Sequence, residues 1–264
     1  MIPLFILKLT AGITLMWLLM PRREVTDGFF RIQMRLLLGL TVLAYLLLSR
    51  STTWHEAVGQ TLALQTASQL KQLQLVAAIV AYPGSIFWAL GRRGPGNVCI
   101  WLLSGLCGVS LMLHSCRVPG RSGLVLQLLS DFSSSAVCGA ILTGMLLGHW
   151  YLTTPTMSIR PLYWCNRALL TAAVIRLIVS AILLFQRGGF AWSEDGGNPV
   201  HWMWYGMRLC GGIAAPIVVV ILVSRILKYR NTQSATGVLF AGLILVFMGE
   251  MTAIILEHST QRPC

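Results

Sequence analysis

Long apolar runs dominate the chain, and short stretches between them hold most of the charged residues. A helix needs about 20 mostly apolar residues to cross the hydrocarbon core of a bilayer. The pattern predicts eight such helices, at residues 2–20, 28–48, 73–90, 98–114, 124–151, 168–185, 203–226 and 235–257. The predicted fold is therefore an all-α integral membrane protein, a bundle of about eight transmembrane helices forming a single polytopic domain over residues 1–264.

The stretches between these runs are short and rich in residues that end helices. PRREVTD, GRRGPGN, SCRVPGR, TTPTMSIRP and KYRNTQ all combine charge with proline, glycine or other polar residues. The two longest connections are 49–72, which predicts an interfacial helix, and 186–202. Neither connection has room for a folded unit, so we expect short loops and no soluble domain.

The composition supports a membrane protein. Apolar residues make up 56% of the chain and charged residues 11%, against about 25% charged residues in an ordinary soluble protein. The net charge of +12 would suit a nucleic-acid partner, but the arginines are spread over short loops. This distribution indicates membrane topology, and we predict no nucleic-acid partner. The seven cysteines show no CxxC pair, which disfavours a disulfide framework.

Lysine and arginine in the loops predict the orientation of the bundle. With the N-terminus outside, nine of them fall in inner loops and six in outer segments, which favours both termini outside. The first apolar run lacks the basic leader of a signal peptide and favours a retained span. We predict a multi-pass protein of the cell membrane, specifically a bacterial inner membrane. Its expected partners are the lipid bilayer and other subunits of a membrane complex.

Ionisable residues inside the predicted helices are the main candidates for function. A charge at the bilayer centre costs about 2.5–3.5 kcal/mol, so such residues tend to face protein or water and to pair. Lys8, Asp131, Arg208 and Glu250 fall at similar depths towards the predicted outer face, and Arg176 falls near the middle. They predict a charge-balanced polar pocket that opens outward and serves as a proton path. The alternative is that they are buried ion pairs that only hold helices in register.

Three histidines are candidates for cofactor binding on the predicted outer side. They are His114, His201 and His258, and His201 shares a helix face with Arg208, with Tyr205 between them. Imidazole can bind haem iron or donate a hydrogen bond to a quinone carbonyl. We therefore predict quinone or haem b as the cofactor of these five residues, and no metal-ion site. The alternative is that these side chains simply lie at the membrane interface.

The stretch GHWYL closes the fifth apolar run. His149 follows Asp131 by about five helical turns and therefore shares its helix face. This spacing makes His149 a candidate for the inner end of a proton path. Trp150 and Tyr151 fall where an interfacial aromatic belt is expected.

Two further features predict how the helices pack. Small residues recur at every fourth position from Ala136 to Gly148, a pattern that permits close helix approach. Pro216 lies inside the seventh run and predicts a kink, with neighbouring groups satisfying the freed carbonyl.

No catalytic motif specifies a reaction. GxSxG, HExxH, Walker and CxxCH sequences are missing, which gives no support to hydrolase, zinc protease, nucleotide-driven or covalent c-type haem functions. In span number and buried charge the chain is similar to the eight-span quinone-handling anchor subunits of bacterial oxidoreductases. The leading prediction is an integral-membrane subunit of a redox or energy-coupling complex, which contacts quinone or b-type haem and conducts protons. The alternatives are a small-solute or ion transporter or channel, and a structural or assembly subunit.

Overall fold

Helices make up nearly all of the described protein. The computed structural model describes residues 2–58, 61–117, 123–154, 157–186 and 199–260, and within these ranges it contains no strand. The helices are α1 (Ile2–Leu19), α2 (Asp27–Val58), α3 (Thr61–Ala89), α4 (Arg93–Arg117), α5 (Leu124–Thr153), α6 (Arg160–Gln186), α7 (Pro199–Met207), α8 (Ala215–Lys228) and α9 (Thr232–Thr260). A π-helix, Arg208–Ala214, joins α7 to α8, and a 3₁₀ turn, Arg22–Glu24, lies between α1 and α2.

Eight segments of the described chain are long and apolar enough to cross a membrane. They are Ile2–Leu19, Asp27–Arg50, Gln65–Ala89, Arg93–Cys116, Leu124–Thr153, Arg160–Leu183, Met203–Lys228 and Thr232–Glu257. Each overlaps one of the eight predicted runs, so the all-helical fold with eight apolar helices is confirmed.

Two predicted boundaries are wrong. The connection at 49–72 does not form a separate helix, because α2 continues to Val58 and α3 begins at Thr61. The two helices extend as a pair, with Lys71 Nζ 5.4 Å from the centre of the Tyr45 ring. The sixth helix begins at Arg160 rather than at 168. Pro161 follows its first residue, and a proline in the first turn is compatible with a helix because its missing N–H would have no intrahelical partner there.

The helices form two rings of four. In the first ring α1 packs on α2, α2 on α3, α3 on α4, and α4 returns to α1. In the second ring α5 packs on α6, α6 on α8, α8 on α9, and α9 returns to α5. The rings meet mainly where α1 contacts α5, and the largest hydrophobic cluster includes Ile13 and Trp17 of α1 with Val137 and Ile141 of α5.

Glycine makes the contact between the two rings unusually close. A Cβ atom added to Gly12 of α1 would overlap the backbone of Ser135 and Gly139 of α5, and one added to Gly139 would overlap the backbone of Gly12. The two helices run in the same direction, because Lys8 faces Asp131 near their first turns and Thr26, just beyond α1, binds Trp150 near the end of α5. The small-residue positions predicted from sequence face elsewhere: Gly148 packs on Thr236 of α9.

One end of the bundle is rich in arginine and is tied together by polar contacts. Arg93 Nε lies 2.8 Å from Asp27 Oδ1, and Arg22 donates to Asn97 Oδ1 at 2.9 Å. Arg160 lies 3.4 Å from Glu24 Oε1. These contacts place the α1–α2, α3–α4 and α5–α6 connections at the same end, which we call the basic end.

Candidate functional site

A buried ion pair joins the two rings. Lys8 Nζ lies 2.9 Å from Asp131 Oδ1, and the two side chains are 3% and 2% exposed. Ser115 of α4 donates to the other oxygen of Asp131 at 2.5 Å. Ser135 of α5 donates to the backbone carbonyl of Lys8 at 2.6 Å. Three helices therefore converge on one carboxylate, which lies in the half of the bundle away from the basic end.

A second buried ion pair lies within the second ring. Arg176 of α6 donates to Glu250 of α9 through Nε at 3.2 Å and through a terminal nitrogen at 3.1 Å, and both side chains are almost fully buried. The remaining guanidinium nitrogen donates to Ser130 Oγ at 2.9 Å and to the Ser130 carbonyl at 3.1 Å. Ser134 donates to Glu250 at 2.6 Å. This two-pronged geometry is the strong form of an arginine–carboxylate contact.

The sequence SDFSSS of α5 places both pairs side by side. Residues four apart share a helix face, so Asp131 and Ser135 face α1 while Ser130 and Ser134 face α6 and α9. This short segment of α5 therefore supplies one carboxylate, Asp131, and a hydrogen bond to the other, Glu250. We call Lys8, Asp131, Arg176 and Glu250, with Ser115, Ser130 and Ser134, the ion-pair network.

The network extends through Gln127 towards the end of the bundle. Gln127 Nε2 donates to Glu257 Oε1 of α9 at 2.8 Å and lies 3.5 Å from Asp131 Oδ2. Gln127 is buried, whereas Glu257 is only partly buried. A polar path therefore leads from a partly exposed carboxylate to the buried Lys8–Asp131 pair.

The arginine that binds Glu250 is Arg176, which the sequence places near the middle of the membrane. Arg208, by contrast, which was predicted at the depth of Glu250, donates to Ser180 Oγ at 3.4 Å and is close enough to Glu250 for their charges to interact. Arg176 was placed near mid-membrane because its helix was predicted to begin at 168. With the true start at Arg160, Arg176 moves towards the other end of α6 and reaches the depth of Glu250. The four ion-paired side chains are also closed off from solvent, in contrast to the predicted outward-opening pocket.

The histidine candidates lie in different surroundings. His114 is partly buried on α4, next to Ser115, and is close enough to Asp131 and Lys8 to interact with their charges. His149 is exposed at the end of α5, whereas Asp131 is buried, so their shared helix face does not give them a shared environment. The side chains of His201 and His258 lie outside the described part of the structure.

The remaining cofactor candidate, Tyr205, is partly buried on α7. Among the described residues no group of three or more histidine, cysteine, aspartate or glutamate side chains is arranged to hold a metal ion. The structure brings together Lys8, Asp131, Arg176 and Glu250 of the predicted site residues.

The aromatic residues of GHWYL contact other parts of the protein, with Trp150 partly buried and Tyr151 buried. Trp150 Nε1 donates to Thr26 Oγ1 at 2.8 Å, and its ring meets Phe29 edge-on. Tyr151 is buried, and its hydroxyl donates to the Ser158 carbonyl. Hydrogen-bonding partners and close neighbours at the end of α5 explain these two side chains better than a lipid interface does.

The predicted kink at Pro216 takes the form of a π-helix. Pro216 has no N–H to donate, and the preceding segment Arg208–Ala214 uses wider hydrogen bonding, in which the N–H of Ala215 reaches the carbonyl of Cys210. This segment approaches α9 closely, because a Cβ atom on Gly249 would overlap the backbone of Gly211 and Gly212. An irregular helix therefore lies directly against the residue that precedes Glu250.

Comparison of the chain with family models, with curated proteins and with solved structures finds no match. The argument for function therefore depends on the geometry of the ion-pair network and on the chemistry of its groups.

Proposed function

We propose that the chain is a multi-pass integral membrane protein that transfers protons through the ion-pair network as a subunit of a redox or energy-coupling complex. The observation that carries this proposal is the placement of two buried ion pairs side by side, on neighbouring faces of the same short segment of α5. The eight long apolar helices support the membrane location. The basic end supports an orientation with that end inside and both termini outside. The membrane in this proposal is the cell membrane, specifically a bacterial inner membrane.

The chemistry of the network suits proton transfer. A hydroxyl group can accept one hydrogen bond while it donates another, so serines can connect ionisable groups. Ser115 contacts Asp131, and Ser130 and Ser134 contact Arg176 and Glu250. Ionisable groups within membrane helices are costly and commonly mark proton paths. Such a path requires a carboxylate that can release one hydrogen-bonding partner and bind another.

The electron-transfer part of the proposal places a quinone or haem b at the same end of the bundle as the network. His114 supports this placement, because it lies one residue from Ser115 on α4 and interacts with the Asp131 charge. His201, His258, Arg208 and Tyr205 remain the other predicted cofactor ligands. Other subunits of the complex would supply the remaining redox centres.

Replacing Asp131 with asparagine is expected to lower proton flux into liposomes that contain the protein by about 100-fold, since a proton-transferring group contributes about 10²–10⁴-fold to a rate. A pH-sensitive dye inside the vesicles measures the flux under an imposed membrane potential. The matched control is Asp27→Asn, which removes a carboxylate at the basic end and should leave the flux unchanged. Equal fluxes in the wild type, in Asp131→Asn and in empty vesicles would refute the proton-transfer role.

The purified protein, or the complex that copurifies with it, is expected to carry haem b or quinone. Oxidised and reduced absorption spectra test for haem, and organic extraction tests for quinone. A colourless preparation with no extractable quinone would refute the redox part of the proposal. The proton-transfer part would then depend on the flux measurement alone.

A small-solute or ion transporter is the second candidate, and the π-helix favours it. Helix interruptions in transporters expose backbone groups that bind substrates or ions, and the interruption at Arg208–Ala214 lies against α9 beside Glu250. Uptake of a solute that depends on Glu250, in a preparation without haem or quinone, would favour this candidate. If loss of the network reduced assembly and left both flux and uptake unchanged, its role would be structural.

A further inference from the structure

The start of α6 packs against the end of α8 at the basic end. Near the start of α6, the Tyr163 hydroxyl donates to the Leu227 carbonyl at 2.8 Å. One turn further along α6, Asn166 Nδ2 donates to Ser224 Oγ at 2.8 Å. Between these two contacts the residue numbers rise along α6 and fall along α8, so the two helices run antiparallel.

Three cations lie on one side of this helix pair. Arg167 follows Asn166 and Arg225 follows Ser224, and each successive residue turns by about 100° around its helix. Seen from one end, the turn has opposite senses around two antiparallel axes, so both arginines project to the same side. Lys228 lies three residues after Arg225 and shares its helix face. We call Arg167, Arg225 and Lys228 the cation cluster.

The cation cluster lies on the outer surface of the second ring. Cys165 and Val223 precede the same two contact residues, Asn166 and Ser224, and therefore turn the opposite way. Both belong to the largest buried hydrophobic cluster, whereas all three members of the cation cluster are exposed. The cations therefore project away from the core, towards the surroundings of the bundle.

The cation cluster has no counter-charge within the described part of the chain. None of its three members makes a hydrogen bond or an ion pair with another described residue. The acidic side chains that the structure describes at this end are Glu24 and Asp27, and these lie beside Arg160 and Arg93. Cations on one side of a helix pair repel one another, so an anion from outside the chain would stabilise them.

Exposed apolar side chains continue the same surface towards the middle of the bundle. Leu170 and Val174 follow the cation of α6 at helical spacing, and Val218 and Ile221 precede the cations of α8 at helical spacing. All four side chains are exposed. This surface is therefore cationic at one end and apolar along its length. A phospholipid has the matching pattern, with an anionic headgroup and apolar acyl chains.

We propose that the cation cluster binds the phosphate headgroup of an acidic phospholipid, whose acyl chains lie along the exposed apolar residues of α6 and α8. This inference rests on the membrane location proposed above and is independent of proton transfer. The proposed orientation places the cluster at the inner face, where basic pockets between membrane helices bind acidic headgroups. Arginine can donate two parallel hydrogen bonds to a phosphate, and lysine adds a point charge. The apolar residues favour a lipid over free phosphate, which has no apolar part to contact them.

Replacing the whole cation cluster with glutamine is expected to weaken the binding of phosphatidylglycerol on the order of 100-fold, about fivefold for each cation near a membrane surface. The test variant combines Arg167→Gln, Arg225→Gln and Lys228→Gln. Native mass spectrometry of the full chain in detergent micelles, titrated with phosphatidylglycerol, measures the affinity.

The matched control removes the same charge from exposed arginines of the first ring. It combines Arg23→Gln, Arg35→Gln and Arg92→Gln, and should bind phosphatidylglycerol with the wild-type affinity. Equal weakening in both triple variants would show that only the total charge matters and would overturn the proposal. An unchanged affinity in the cation-cluster variant would overturn it as well.

Photolabelling of the wild type gives a second test that needs no variant to fold. A phosphatidylglycerol with a photoreactive acyl chain, in nanodiscs of phosphatidylcholine, should label peptides of α6 and α8. Excess phosphatidylglycerol should displace the label, and the same concentration of inorganic phosphate should not. Displacement by inorganic phosphate would refute a lipid as the occupant, and labelling spread evenly over the helices would refute a site.

These outcomes are separate from those of the proposed function. Loss of lipid binding in both triple variants, with proton flux that still depends on Asp131, would refute this inference alone. A wild type that binds the lipid at α6 and α8 but carries no proton flux would refute proton transfer and support the lipid site.

Discussion

Replacing Arg176 with methionine is expected to lower the free energy of unfolding by about 3–5 kcal/mol, because Glu250 would stay buried without its partner. The arginine makes two hydrogen bonds to Glu250 and two to Ser130, and all of them would be lost. Chemical denaturation in mixed detergent micelles measures the change. Arg93→Met is the matched control, since its pair with Asp27 is partly exposed and worth about 0–1 kcal/mol.

The double variant Arg176→Met with Glu250→Met separates stability from function. Replacing both members of a buried pair with apolar side chains is often neutral or stabilising, so the double variant should recover most of the lost free energy. We expect the double variant to show no proton flux, because no ionisable group remains at either position. Recovery of flux together with stability would show that the pair only holds α6 against α9. A single variant as stable as the wild type would contradict the ion-pair geometry.

Gly139→Ala is expected to destabilise the protein by about 2–3 kcal/mol, at the upper end of the usual range for overpacking. The added Cβ atom would overlap the backbone of Gly12, which has no side chain to move aside. Separation of α1 from α5 would also stretch the Lys8–Asp131 pair, so the flux should fall with the stability. The same denaturation assay and the flux assay together measure both effects.

Gly105→Ala provides the control for that substitution. Gly105 is exposed on α4, with open space where its Cβ atom would lie. Alanine there should raise the free energy of unfolding by about 0.5–1 kcal/mol, the usual gain over glycine within a helix. If Gly139→Ala were as stable as Gly105→Ala, the close approach of the two rings would be disproved.

The apolar pattern was sufficient to predict the helices, because a helix that faces lipid needs a long apolar run whatever its neighbours are. The errors arose where one local sequence feature is compatible with two different structures. Pro161 was assigned to a loop, although proline is also common in the first turn of a helix. That one boundary placed Arg176 near the middle of the membrane, so Arg176 was left out of the predicted pocket at the depth of Glu250.

The similar depth of Lys8 and Asp131 follows from the sequence, since the first and fifth helices begin at the same side. Depth does not specify which helices are neighbours, so the serine and glutamine partners could not be assigned from sequence. Gly139 was missed for a related reason, because a lone glycine shows its role only when the facing backbone is known. Tyr151 was assigned to an aromatic belt although it is buried, because interfacial and buried aromatic residues occur at the same position along a helix.

The parallel packing of α1 and α5 has a consequence for biosynthesis. Lys8 leaves the ribosome with the first helix, and Asp131 follows only after three further helices have been made. During that interval the lysine amine has no counter-charge, and its place near the start of α1 lets it reach towards lipid phosphates until α5 arrives. The completed pair then joins the early half of the polypeptide to the late half, so we expect the two rings to come together only once the fifth helix has been made.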